Sequence, residues 1–410
     1  MVDTVLVQPA ARSGYRWWIL SLGTLTNALV VALQSMCLPV LFKEISLDLD
    51  LTLVQIGLVW GISALPGMFS TLVGGALGDR FGPRRVLVLS CLATGLAGGL
   101  RGTAIDFSSL LLTMVLFGMI APIVGNNVFK IVGGWMPQKQ MGFASGVLSM
   151  GMALGFLVGA MLSATVLSPL LGNWRNVLFL YGGIAMLLSV PWIFSRQAPQ
   201  VSASAAAASG RKSTRRNLAH LARLRNLWLL GLAIFGIGGC VQGFLGYLPL
   251  YLRDLGWPPA SADAASAAFH TISLVCVIPI ALGSDRLPLR KMVLIPAGIM
   301  IAVGVGLISV AQGVLIWIAV LMAGMVRDGF MAVFMTAILE TKGVGADQTG
   351  TAMGMVMVLS SLGSIVAPPL GNSLAVYDPG FPFLLWSGMA LLGIASLVVL
   401  KENATLAKVR

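Results

Sequence analysis

The feature that most limits what this chain can become is a succession of apolar runs, each about as long as a membrane is thick. A helix that crosses a bilayer needs about 20 mostly apolar residues. Cutting the chain at its charged, Pro-rich and Gly-rich breaks leaves twelve such runs, at 15–40, 51–77, 86–104, 108–134, 142–168, 173–195, 227–252, 261–283, 290–311, 314–339, 348–373 and 380–400. Strands of a membrane barrel would be about ten residues long and alternate in polarity, whereas 86–100 is apolar almost without interruption. Helices are therefore expected. Only 10% of the 410 residues are charged, against about a quarter in soluble domains, so a water-soluble fold is excluded. The apolar excess and scarce acids also exclude a disordered chain, a coiled coil and a disulfide scaffold. Cys37, Cys91, Cys240 and Cys276 all fall inside apolar runs and read as packing residues. The first run is long enough to span rather than to be cleaved as a signal.

Short cytoplasmic loops concentrate Lys and Arg. With the N-terminus inside, four of the 26 basic residues (Lys43, Arg101, Arg175 and Arg253) fall outside, and Lys130 and Arg327 fall within spans. The remainder lie inside. Seven acids, Glu44, Asp48, Asp50, Asp106, Asp254, Asp263 and Asp378, face the other way. The expectation is a multi-pass protein of a bacterial inner membrane with both termini cytoplasmic. The net charge of +12 is then a matter of topology, with the lipid bilayer as partner and nucleic acid excluded. Nucleic-acid binding would need a solvated basic face.

One long hydrophilic stretch, 196–226, separates a first unit at 1–195 from a second at 227–410. It opens Ala/Ser-rich and continues through Arg211, Lys212, Arg215 and Arg216. Leu218, Leu221 and Leu224 follow at helical spacing and suit either the inner leaflet or a solvated helix. The two units repeat each other. Leu38-Pro39 followed by Lys43-Glu44 returns as Leu248-Pro249 followed by Arg253-Asp254. Gly78-Asp79-Arg80 with Arg84-Arg85 returns as Ser284-Asp285-Arg286 with Arg290-Lys291, and Gln140, Gly142, Ala144 and Gly146 return as Gln348, Gly350, Ala352 and Gly354. Repeats in the same orientation imply a pseudo-two-fold axis along the membrane normal.

The loop from Gly75 to Arg85, Gly-Ala-Leu-Gly-Asp-Arg-Phe-Gly-Pro-Arg-Arg between spans two and three, resembles the signature loop of the Major Facilitator Superfamily. The resemblance covers the whole chain and implies an all-α fold of twelve transmembrane helices in two pseudo-symmetric six-helix bundles. It implies that Asp79, Arg80 and Arg84 latch the two halves through span eleven in the outward-facing state, with Asp285 and Arg286 a weaker second copy. It also implies that spans one, four, seven and ten line a central cavity. Drug/proton antiporters of the superfamily carry an Arg in span four and a Gly-Pro pair in span five. Met114 stands at the first position and Phe156 follows Gly155 at the second, which weakens that reading.

Gly151, Gly155 and Gly159 form a smooth ridge on span five, and Gly363, Ala367 and Gly371 another on span eleven beside Pro368-Pro369. They suit a sliding interface between halves or static close packing. On the cavity-lining spans the polar residues are Asn27 and Gln34, then Asn126, Asn127 and Lys130, then Gln242 and Tyr247, and finally Arg327 and Asp328. Charges at mid-membrane are costly and normally face a cavity or a partner. Adjacent helix positions diverge by about 100°, so Arg327 and Asp328 are not expected to face the cavity together. Arg327 is placed there to hold a carboxylate bidentately, the alternative being a structural pair. Lys130 adds a second positive charge or snorkels to the surface. Asp328, and His270 on span eight, are candidate proton carriers.

No catalytic triad order, metal cluster, Walker loop or nucleophile elbow occurs, so no enzyme and no cofactor is expected. The reading is a monomeric secondary transporter of a small organic or inorganic anion, driven by protons or by exchange with a counter-solute. Efflux of an amphipathic compound, or a membrane sensor without transport, are the alternatives.

Overall fold

The computed structural model describes residues 13–196, 220–345 and 348–401, and among them it is helical with no strand. The basic run 211–216 of the linker lies outside the described residues. Twelve helices carry the numbers of the spans they fill. In the first half they are α1 (Gly14–Leu49), α2 (Leu53–Phe81), α3 (Pro83–Thr103), α4 (Phe107–Trp135), α5 (Met141–Leu171) and α6 (Trp174–Phe194). The second half holds α7 (Arg225–Asp254), α8 (Pro259–Asp285), α9 (Lys291–Leu307), α10 (Val314–Leu339), α11 (Thr349–Leu374) and α12 (Phe381–Val399). Among the described residues eleven are long and apolar enough to cross a membrane, and α9 is shorter at 17 residues.

Local chemistry fixes where several helices start. Before α2, Thr52 Oγ1 accepts from the Gln55 backbone N–H at 3.3 Å while Gln55 Oε1 accepts from the Thr52 N–H at 2.9 Å. This reciprocal box satisfies two otherwise orphaned donors. Asp106 and Ser109 form the same device before α4. The turn from α2 into α3 needs Gly82, whose φ of 84° other residues rarely adopt, and Pro83 follows where its missing N–H costs nothing.

Both glycine ridges pack inside their own halves rather than sliding across the seam. A Cβ on Gly151 would sit 2.6 Å from Thr24 O of α1, and one on Gly155 would sit 2.6 Å from Ala32 Cβ of α1. Gly363 faces the Phe235 backbone of α7, and Gly371 faces the Trp386 ring of α12. The small residues thus let backbones close up within a bundle.

The halves meet elsewhere. A Cβ on Gly57 of α2 would lie 2.7 Å from Pro369 N of α11. One on Gly61 would lie 2.8 Å from Ser364 O and 2.9 Å from Ile365 O. Those are the two carbonyls that helical N–H groups at 368 and 369 would have bonded, had both positions not been proline. Trp60 Nε1 donates to Gln242 O of α7 at 2.8 Å, and Asn372 Nδ2 donates to Leu53 O at 2.8 Å.

At the tips of α1 and α7 the repeated dipeptides pair reciprocally. Lys43 bonds Asp254, and Glu44 accepts from Arg253 Nη1 at 2.9 Å. Each residue therefore partners the neighbour of its own repeat counterpart, as across a two-fold axis. These contacts all gather at the end opposite the 78–85 and 286–291 loops. The ion pairs seen at that loop end, Lys130–Asp79 and Arg290–Glu340, each stay within one half.

Candidate functional site

Arg327 and Asp328 lie near the middle of α10, and their side chains converge rather than diverge. Arg327 Nη1 bonds Asp328 Oδ1, and the two side chains keep 32% and 28% of their surface exposed. The 100° between adjacent positions is overcome because the long guanidinium stem bends back to its neighbour. The backbone N–H of Asp328 also donates to Ser273 Oγ of α8 at 3.1 Å. One turn earlier on α8, His270 stacks on Phe156 of α5 with ring centroids 4.9 Å apart and planes at 27°. It meets the Phe269 ring edge-on at 5.4 Å. The Arg327–Asp328 pair therefore sits beside the mid-membrane seam between halves, within electrostatic reach of His270.

Span four is placed differently. Asn126 Nδ2 donates to Thr71 O at 2.9 Å, and Asn127 Nδ2 donates to Gly74 O at 3.0 Å. Lys130 Nζ reaches Gly75 O at 2.5 Å and Asp79 Oδ1 at 2.7 Å. This stripe fastens α4 to the backbone of α2. Gly78 makes the approach possible, since a Cβ there would collide with the Asn127 amide. Asp79 is bound to α4, and among the described residues no bond from it to α11 is seen. Arg84 donates to Ile193 O, and to Trp192 O at 3.2 Å, at the end of α6. Arg80 lies over the Phe81 ring at 5.2 Å. Arg286 is exposed, and the Asp285 side chain lies outside the described residues.

On α1, Gln34 is wholly buried and turned into the first half. There its backbone and side-chain oxygens accept from Arg101 at 2.9 and 3.3 Å. Arg101, placed by sequence in an outside loop, is instead fully buried with its guanidinium 4.2 Å over the Phe117 ring. It is tolerable there because carbonyls of Gln34 and Gly98 take its protons. Asn27 is also buried, within a stretch of α1 that loosens to π geometry. Tyr247 of α7 belongs to an aromatic cluster with Tyr251, Phe383 and Trp386, its centroids 5.6 to 6.0 Å from theirs. Gln242 is half-buried, and its backbone carbonyl receives Trp60. An apolar groove of about 390 Å³ between α1 and α5 is lined by Ser21, Thr24, Leu25 and neighbours, and by none of these polar candidates. No group of three His, Cys, Asp or Glu among the described residues could hold a metal ion.

Of the residues singled out from sequence, the structure brings together Arg327, Asp328 and His270, and adds Ser273 and Phe156. Ser273 was legible as the position three residues after His270 on the same helical face. Phe156, next to the Gly155 ridge, carried no separate signal. Asp263, counted as an outside-loop acid, is instead buried in the first turns of α8. It accepts two bonds from Arg253 Nη2, at 2.9 and 3.0 Å, and one from the Thr165 hydroxyl at 2.6 Å.

Residues 20–366 match the description of the Major Facilitator Superfamily. The chain belongs to that superfamily. Its members are transporters rather than enzymes. A hexuronate transporter of Bacillus subtilis (strain 168) is 24% identical to this superfamily member over 383 residues, 86% of the chain and 87% of the relative. A 3-(3-hydroxy-phenyl)propionate transporter of Escherichia coli (strain K12) is 23% identical over 356 residues, 86% of each. The crystal structure of the nucleoside transporter NupG superposes with a TM-score of 0.80 at 12% identity, covering 94% of the chain and all of that structure, 100%. It shows the major facilitator fold, and the aligned length includes both six-helix bundles.

Proposed function

We propose that this protein is a secondary transporter of a small anion, with an organic carboxylate the best fit, working by alternating access and coupled to protons. The observation that carries the reading is the Arg327–Asp328 pair, part-exposed beside the seam. The two relatives, named for a hexuronate and a phenylpropionate, support it.

A guanidinium binds a carboxylate bidentately and strongly where water is scarce. Arg327 already holds Asp328, so an incoming carboxylate competes for the same donors. The Asp328 carboxylate it releases is left without its cation at mid-membrane, and a proton can take the cation's place. Anion binding and proton uptake are thereby linked, with Asp328 as the proton's place and Arg327 as the anion's. Co-transport of a proton also answers the membrane potential, which opposes entry of an anion by about 2.3 kcal/mol per charge per 100 mV.

The basic loops 78–85 and 286–291 are assigned to the cytoplasm by charge, and both termini with them. The joined end then faces outside. In the opposite state Asp79 would leave Lys130 for α11, which is the latch role its loop implies.

Thermal unfolding of the purified protein against carboxylates, inorganic anions, sugars and lipophilic cations tests the reading at about pH 5.5 and 7.5. A ligand at 100 times its dissociation constant stabilises by about 2.7 kcal/mol. The expected result is stabilisation by carboxylates, larger at the lower pH and absent in Arg327→Ala. In Asp328→Asn the pH dependence disappears. Stabilisation by lipophilic cations alone would instead assign the protein to efflux.

A further inference from the structure

Helix α8 carries Asp263, Ser266, His270 and Ser273 at spacings of three, four and three residues. Such spacings put all four on one face, which meets α5 at Asp263 and His270 and α10 at Ser273. Asp263 accepts from Thr165 of α5, and His270 stacks on Phe156 of α5. At 1.5 Å per residue the file runs about 15 Å from the outer ion cluster to Ser273, where the Asp328 N–H is bonded.

Two observations set the file apart from ordinary packing. Ser266 Oγ and His270 Nε2 are buried and have no hydrogen-bond partner among the described residues. A buried polar atom without a partner costs free energy, and here two such atoms follow one another on one helix face. Exposure also changes along the file in a definite way. Glu44, which shares Arg253 with Asp263, keeps 31% of its side chain exposed. Asp263 keeps 1%, Ser266 and Ser273 none, and His270 3%. Asp328 rises again to 28%. A sealed polar file thus joins two groups that touch solvent, one at the outer tip and one at the central pair.

We propose that this face of α8 is a proton path from the outer ion cluster to Asp328. The proposal rests on the proton-coupled reading above and adds the route. A proton from outside water enters past the part-exposed Glu44 and is taken up by the buried Asp263 carboxylate, on which Arg253 and Thr165 also converge. It passes through the Ser266 hydroxyl, which gives up its own proton as it accepts one. His270 accepts on Nε2 and releases the proton of its other ring nitrogen towards Ser273, with Phe156 and Phe269 excluding water around the ring. Arg327 and Asp328 face the end of the file, and Asp328 retains the proton. After each transfer the His270 ring carries its proton on Nε2 instead of Nδ1 and resets by a ring flip before the next one, and no oxidant, reductant or further reactant is consumed. Successive groups stand about a turn apart along the helix, so each transfer in this path requires a water to bridge the gap.

The test reads protons directly and needs no substrate. The chain has two histidines, His220 and His270, so the imidazole signals of the full-length, ¹⁵N-histidine-labelled protein in detergent are assigned by one His220 substitution. Exchange of the His270 ring N–H with water is then followed by NMR. The expected result is exchange that is fast for a buried ring, slowed by about tenfold or more in Ser266→Ala and in Asp263→Asn, and retained in Ser266→Thr. Thermal unfolding of each variant checks that the fold is kept. Slow exchange in the unsubstituted protein, as for a sealed packing residue, would overturn the path. So would fast exchange that survives Ser266→Ala and Asp263→Asn but is lost in Ser273→Ala, because the proton would then arrive from the central cavity. These outcomes are independent of the anion panel, so a failure of the transport reading is told apart from a failure of the route.

Discussion

Lys130 of α4 and Asp79 of α2 form an ion pair of 2.7 Å within the first half. The carboxylate at the centre of the signature loop is therefore engaged by its own bundle while the halves are joined at the opposite end.

The pair is largely hydrated, with side-chain exposures of 33% and 69%, and such pairs contribute roughly 0.2–1 kcal/mol. Lys130→Met is expected to lower the thermal unfolding midpoint slightly at low ionic strength. The gap to the unsubstituted protein should shrink on raising salt to about 1 M, where the screening length falls to about 3 Å. A gap that is unchanged by salt would mean that Lys130 acts through its bond to Gly75 O instead.

Reciprocal pairing of the repeated dipeptides gives a second expectation. Lys43→Glu and Asp254→Lys should each separate the tips of α1 and α7. Together they should restore closure, because the pair is rebuilt with its charges exchanged. Spin labels at Leu47→Cys and Leu255→Cys, in a background with the four native cysteines replaced by serine, report the distance. Each single reversal should raise the separated fraction by roughly two- to fivefold, as for one half-exposed ion pair. Failure of the double variant to return to the short distance would show that the pairing does not hold this end.

A third expectation concerns pH and the start of α4. The Ser109 hydroxyl, and after it the Ser109 backbone N–H, hold the Asp106 carboxyl below the usual carboxylate range. A group with a depressed folded pKa contributes stability that is complete above its unfolded value, about 3.9, and is lost as pH falls through the folded one. Asp106→Asn should therefore unfold at a lower temperature than the unsubstituted protein near neutral pH. The difference should shrink as pH falls below the unfolded value of about 3.9. Unfolding midpoints measured from about pH 7 down to about 3 check this, and a difference that stays constant over that whole range would contradict it.

The helices and their order were legible in the sequence because membrane thickness sets a length that continuous apolar runs report directly. The 210-residue repeat of Lys43-Glu44 as Arg253-Asp254 was legible too, but not that the copies bond each other, which depends on how the halves face. The partners of the polar residues of α4 were not legible, for a physical reason. Family geometry points that span at the cavity, whereas Asn126, Asn127 and Lys130 find nearer acceptors in the carbonyls of α2. Arg101 and Asp263 were assigned to water by charge alone, and each is buried by bonds from residues far away in sequence. Conversely, Arg327 and Asp328 could be found from sequence because mid-span charges are rare enough to mark themselves.

Where α2 meets α11, Gly61 faces the Ser364 and Ile365 carbonyls that Pro368 and Pro369 leave without helical donors. Parting the helices would present both oxygens to incoming water. The α2–α11 seam would then exchange its close backbone contacts and the Asn372–Leu53 hydrogen bond for hydration, whereas the α1–α7 tip must break ion pairs. Opening at the seam is in that sense a wetting event, and its rate should respond to the activity of water, for instance to added osmolyte, more than to ionic strength.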